Sequence, residues 1–227
     1  MFREALAPLV PLLLGALRAQ GAWGVAYPPA DATAPRPAIV YLHGMWSTPE
    51  EQCALLERTA TSFGFLVCPR GNAPFGDGHM WKGTYASVAP RLHAAIDAAA
   101  AMGPGKLDAS GGGTLVGYSN GAYFAAEVAR SEPGKWTGLV LLSMKLELDG
   151  GLLRRAGVRR VVMAAGDRDP VRDGMKALAE KLDATGLAAR FVSLGPGEHP
   201  LPPDLDARLC EPLAWAREAD AAVCRTH

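Results

Sequence analysis

Residues 114–124, Thr-Leu-Val-Gly-Tyr-Ser-Asn-Gly-Ala-Tyr-Phe, read as a short apolar strand, a tight turn and the start of a helix. This junction restricts the chain to folds in which a strand feeds directly into a helix. Gly117 and Gly121 bracket Ser119. A serine at the apex of so sharp a turn sits in strained backbone, and a Cβ at either glycine would collide with its neighbours. The Ser119 hydroxyl is therefore expected above a sheet edge, at the N-terminus of the helix. Unpaired N–H groups and the helix dipole there suit a developing negative charge.

The same alternation runs through the chain. Apolar runs at 38–44, 65–69, 138–143 and 159–166, with a further strand at 189–194 and a short β-like stretch at 23–27, have the composition of strands buried on both faces. Helical spacing fills 47–61, 88–103, 171–184 and 203–222. The implied class is α/β, a mostly parallel central sheet with helices on both faces. Residues 145–158 leave room for a connecting helix or loop and no large cap domain. Residues 70–83 read as a long loop, and a loop of that length leaving a sheet strand is more often functional than idle. A chain of 227 residues accommodates one such domain, assigned to 22–227.

Twenty-three basic residues balance twenty-three acidic ones, which removes the electrostatic case for nucleic acid or an anionic membrane surface. The apolar stretch 5–17 is too short to span a bilayer. It has the length of a signal-peptide core, with Ala19 and Gly21 as cleavage positions, or else it forms an N-terminal helix, so 1–21 is set apart from the domain. Cys53, Cys68, Cys210 and Cys224 fall as two sequence-local pairs, as two small disulfide loops would. Pairing of Cys53 with Cys68 and of Cys210 with Cys224 favours a secreted or periplasmic location over the cytoplasm. None of the four has metal-site spacing, and no metal or other cofactor is expected.

Two more loops carry chemistry. Gly166-Asp167-Arg168-Asp169-Pro170 follows the fifth long apolar run, and Gly195-Pro196-Gly197-Glu198-His199-Pro200 follows the sixth. Carboxyl ends of strands in an open α/β sheet share one edge, so both loops should reach Ser119. His199 would take the Ser119 proton as general base while a buried carboxylate holds the imidazole tautomer. Asp169 is the preferred carboxylate on the spacing Gly166, Asp169, Val171; Asp167 is the alternative. The backbone N–H of Asn120 is one expected oxyanion donor, and that of Met45 the other, with Trp46 one residue away as its alternative. His43 should serve structure by bonding nearby backbone, His79 lies in the long loop within reach of a substrate, and His93 should face solvent.

Together Leu42-His43-Gly44, Gly117-Tyr118-Ser119-Asn120-Gly121, 166–169 and His199 resemble the α/β-hydrolase superfamily over nearly everything after residue 23. Within it the short chain resembles the phospholipase/carboxylesterase group and the esterase relatives of polyhydroxybutyrate depolymerases. The resemblance implies a serine hydrolase acting on a small-molecule carboxylic ester through an acyl-enzyme, with Ser119, Asp169 and His199 as the triad. It also implies substrate contacts at Trp46, Trp81 and Tyr118. The stretch from Cys68 to Trp81 is similar to the loop that carries a tryptophan beside the acyl site in such carboxylesterases, with Lys82 in place of their following aromatic. Thioesterase, lysophospholipase and polyester depolymerase activities use the same triad, and a non-catalytic binding protein on this fold is the alternative of another class. Dienelactone hydrolases resemble the chain less, having cysteine at the position of Ser119.

Overall fold

Side chains along the central strands alternate between two separate cores. In β3 (Arg36–Leu42), Ala38, Val40 and Leu42 enter one and Ile39 and Tyr41 the other. In β10 (Arg160–Ala165), Val161, Met163 and Ala165 oppose Val162 and Ala164. An uninterrupted apolar strand is thus explained by a layer on each face. The computed structural model describes residues 19–29, 34–102, 107–108, 110 and 112–226. The expected signal-peptide core at 5–17 and His227 lie outside the described residues.

Ordered across the sheet, the strands are β1 (Ala19–Gly21), β2 (Gly24–Tyr27), β4 (Phe65–Pro69), β3, β8 (Gly113–Tyr118), β9 (Trp136–Leu142), β10 and β11 (Ala188–Ser193). From β4 to β11 every neighbouring pair is parallel, and only β1 with β2 and β2 with β4 are antiparallel. A two-residue strand, β7 (Leu107–Asp108), adds to the start of β3. One face carries α3 (Tyr85–Met102), α4 (Asn120–Ser131), α5 (Gly150–Arg155) and α6 (Arg172–Ala184). The other carries α1 (Pro49–Ala54), α2 (Glu57–Phe63) and α7 (Leu205–Ala216). Between β9 and β10 stand only α5 and the connections 143–149 and 156–159 on either side of it.

Several boundaries differ from the sequence reading. Thr48 caps α1 with a reciprocal capping box to Glu51, and Pro49 occupies the first turn. The helix expected to run to 61, however, breaks at Leu55 and Leu56. The break starts a new N-terminus whose Thr59 N–H is accepted by Asp206 Oδ1 of α7 at 2.8 Å, while Leu56 drops fully into the core. The stretch read as a long loop contains a hairpin, β5 (Ala73–Phe75) with β6 (Gly78–Met80), closed through Gly76 at φ 58°. The last helix ends at Ala216, short of the expected 222, and a 3₁₀ turn, Ala221–Thr226, follows. The disulfide between Cys210 and Cys224 explains this. Fourteen residues of straight helix would separate their Cα atoms by about 21 Å, and they stand 5.6 Å apart. Cys53 is likewise bonded to Cys68, tying α1 to β4.

Candidate active site

β3 lies between β4 and β8, the point where the winding of the sheet changes direction. Loops leaving two such neighbouring strands diverge and open a crevice at their carboxyl ends. Ser119 stands there, on the turn between β8 and α4, with φ 49° and ψ −119°. Both flanking glycines are required by close approach: a Cβ on Gly117 would lie 2.5 Å from Ala122 Cα, and one on Gly121 would overlap the Leu42 carbonyl. Gly44, after β3, completes the crevice. A Cβ there would sit 2.8 Å from the Tyr118 ring and 3.5 Å from Ser119 Cβ.

His199, after β11, brings Nε2 to 3.1 Å from Ser119 Oγ. Its Nδ1 lies 3.2 Å from Asp169 Oδ2. The Asp169 side chain is 1% exposed and that of His199 45%, so the carboxylate is shut from water while the imidazole faces the crevice. Asp169 Oδ1 accepts from the Val171 N–H at 3.1 Å, which turns the other oxygen to the ring. Asp167 points elsewhere, bonded to Ser193 Oγ at 2.6 Å and 3.6 Å from Arg172 Nε. Serine hydroxyl, imidazole and buried carboxylate thus form one hydrogen-bonded relay. Such a relay can draw a proton from the hydroxyl and hold the resulting imidazolium.

The loop after β3 is held in part by Gln52, which had no role in the sequence reading. Gln52 Oε1 accepts from the Tyr41 hydroxyl at 3.0 Å and from the Gly44 N–H at 2.9 Å. His43 is fully buried. Its Nε2 accepts the Gly71 N–H at 3.0 Å, so the proton on Nδ1 is the one that meets Gly44 O at 2.7 Å. Burial pushes its pKa down to about 4, against a smaller upward pull from the Gly44 carbonyl, and the ring is a neutral structural part, as expected. Asn120 begins α4, where its N–H has no intrahelical acceptor, and its side-chain Oδ1 accepts from the Trp81 N–H at 2.7 Å. Met45 is about one-third exposed at the crevice edge.

Other expected contacts are placed differently. Trp81 is 1% exposed and donates Nε1–H to His43 O at 3.0 Å. It has no surface for a substrate and instead braces the loop after β3. Tyr118 is also mostly covered, its hydroxyl donating to His199 O at 3.1 Å. Burial first, then the charge of Asp169, pushes its pKa up to about 12. Trp46 alone of the three aromatics is open, at 66% exposure. His79 lines a separate cavity with Arg70, Asn72 and Arg91. His93 does not simply face solvent, because its Nε2 lies 2.6 Å from Glu132. A groove of about 710 Å³ along α4, with Tyr123, Arg130 and Leu152 in its walls, takes none of the three relay side chains into its lining.

No family model matches the chain, and no curated protein does. Solved structures do. The chain is similar to esterase PE8 at TM-score 0.63 and 23% identity, over 85% of this chain and 96% of that one. It is similar to FphF, a fluorophosphonate-binding serine hydrolase of Staphylococcus aureus, at TM-score 0.63 and 16% identity, over 89% and 97%. A carboxylesterase from Mesorhizobium loti superposes at TM-score 0.60 and 20% identity, over 88% and 98%. The fold is that of the α/β-hydrolases. At these identities the likeness is one of architecture, and it extends over nearly the full length of each neighbour. Among the described residues no helix is long and apolar enough to cross a membrane.

Proposed function

We propose that the protein is a serine carboxylesterase acting on small-molecule esters. Ser119 Oγ attacks the ester carbonyl carbon while His199 Nε2 takes its proton, and Asp169 stabilises the imidazolium. The oxyanion is held by the backbone N–H groups of Asn120 and Met45. Collapse breaks the acyl C–O bond, the alcohol leaves with the proton returned from His199, and Ser119 carries the acyl group. Water then adds to the acyl carbon, giving its proton to His199, and the acid leaves as Ser119 recovers its hydrogen.

The observation that carries this reading is the relay of 3.1 and 3.2 Å joining Ser119, His199 and Asp169 at the strand ends. That solved neighbours of this fold are esterases and a fluorophosphonate-binding serine hydrolase supports ester cleavage as the reaction class. An exported site of action is part of the proposal, supported by two disulfides, which persist in oxidising compartments. Ser119→Ala should reduce p-nitrophenyl acetate turnover by about 10³-fold or more and abolish labelling by a fluorophosphonate probe. Retained turnover and labelling would overturn the assignment.

A further inference from the structure

Trp46 combines two unfavourable features. It is the most exposed large apolar side chain among the described residues, at 66%, and its backbone is left-handed, φ 58°, without being glycine. Such a conformation is strained in a bulky residue. A frame holds it there. Its ring packs on Phe75 with centroids 4.7 Å apart and planes tilted 52°. Gly76, at the tip of the β5–β6 hairpin, leaves open the space that a Cβ would take 2.5 Å from Trp46 Cδ1. The hairpin is fastened to the same loop by the His79 N–H donating to Ser47 O at 3.0 Å.

The frame stands beside the nucleophile. Gly44, two residues before Trp46, abuts Ser119, and Trp81, just after the hairpin, donates its N–H to Asn120. Met45, the residue before Trp46, adds a partly exposed thioether. Of the exposed large apolar side chains among the described residues, Met45 and Trp46 directly follow the carboxyl end of β3, and Tyr123 lies in the first turn of α4, four residues after Ser119. Met45 and Trp46 thus put apolar surface on the rim that holds Ser119, as a ligand-facing surface would be.

We infer that Trp46, backed by Phe75, is an aryl-selecting ledge at the mouth of the site. Esters with a planar aromatic group in the acyl or the alcohol part are held by stacking on the indole, in preference to non-planar alkyl esters of equal size. This rests on the reading of Ser119 as the nucleophile. A flat π-face rewards a planar partner by offset stacking beyond the area it covers, worth roughly 2- to 12-fold in affinity, whereas a puckered ring meets it at few points.

The test compares kcat/KM for phenyl with cyclohexyl acetate, and for methyl benzoate with methyl cyclohexanecarboxylate, in the full chain and in W46A, W46F and F75A. Taking variant against parent cancels the intrinsic reactivity of the aryl leaving group. W46A should lower the aryl-to-cyclohexyl ratio about tenfold in at least one pair, mainly through KM. W46F should restore most of it, and F75A should lower it by a smaller factor. An unchanged ratio in both pairs would overturn the ledge. Equilibrium binding of phenyl acetate and methyl benzoate to S119A and S119A/W46A separates the two claims: weaker binding in the double variant supports the ledge even if Ser119 proves not to be the nucleophile, and equal binding overturns it.

Discussion

Tyr118 stands beside the imidazole of the relay. Its ring lies 5.5 Å from that of His199, and its hydroxyl holds the His199 carbonyl, so it fixes the loop that delivers the imidazole without touching Ser119 Oγ through any reactive atom. Removing that one bond should loosen the imidazole. Tyr118→Phe is expected to lower kcat by about 2- to 10-fold, the value of one neutral hydrogen bond, with KM nearly unchanged; steady-state kinetics on one soluble ester separate the two. His43 acts through protonation. Its pKa is pushed down to about 4 from 6.5, mainly by burial. Above pH 6.5 the residue is neutral in folded and unfolded chains and adds no pH dependence. Between 6.5 and 4 the unfolded chain binds the proton and the folded chain does not, so stability falls as pH falls, by about 3 kcal/mol in all. Urea unfolding at pH 7.5, 6, 5 and 4 should follow that slope, and His43→Gln should be less stable at neutral pH while losing most of the slope. The site residues were readable to the extent that local chemistry marks them. Ser119 has its bracketing glycines, and Asp169 and His199 follow apolar strands. The inward turn of Trp81 had no such mark, because whether a loop tryptophan faces solvent depends on the hairpin closing beneath it. Gln52, which secures Gly44, carries no signal beyond lying on the next helix.

At the scale of elements, hydrophobic continuity marked the central strands well, since burial on both faces leaves no polar position. Short elements were lost where the deciding partner was distant. The α1–α2 break depends on Asp206, about 150 positions later, accepting from Thr59. The hairpin did have a local signal: Phe75-Gly76-Asp77-Gly78 offers a two-residue Gly-Asp turn. The end of α7 was constrained by the expected Cys210–Cys224 pairing, which a helix continuing to 222 could not satisfy. These disulfides close loops with sequence separations of 14 and 15, for which chain entropy gives about 3 kcal/mol each. The Cys210→Ala/Cys224→Ala protein should therefore unfold with a free energy lower by about 2–3 kcal/mol, seen as a lower denaturant midpoint at similar slope. Thiol titration of the denatured, unreduced parent should find no free thiol, and four thiols would remove both pairings.

For the whole molecule, the relay depends on the sheet holding its carboxyl edge in register while helices on both faces stay docked. On the α3 face that docking centres on one carboxylate far from Ser119. Glu132, at the end of α4, accepts from His93 Nε2 at 2.6 Å and Tyr85 OH at 2.9 Å on α3, and from Trp136 Nε1 at 2.8 Å at the start of β9. Lys135 Nζ is 3.4 Å away. Burial by itself would raise its pKa. The bonds from His93, Trp136 and Tyr85 and the charge of Lys135 outweigh it, leaving the carboxyl below its ordinary range. A depressed carboxyl stabilises the fold above its unfolded pKa of about 4.5 and loses that contribution as pH falls through the lower folded value. This window lies below the one set by His43, so the two effects separate on a pH series. Glu132→Ala strands the buried indole N–H of Trp136 and two part-buried donors, from Tyr85 and His93, and should cost about 2–3 kcal/mol at pH 7, whereas Glu132→Gln, which keeps one acceptor, should cost less. In both variants the loss relative to the parent should shrink as pH falls below 4.5, through the range in which the parent carboxyl takes up its proton. Thermal unfolding at pH 7 and pH 3 reads this directly, and a penalty of equal size at both pH values would show that Glu132 contributes by shape and not by charge.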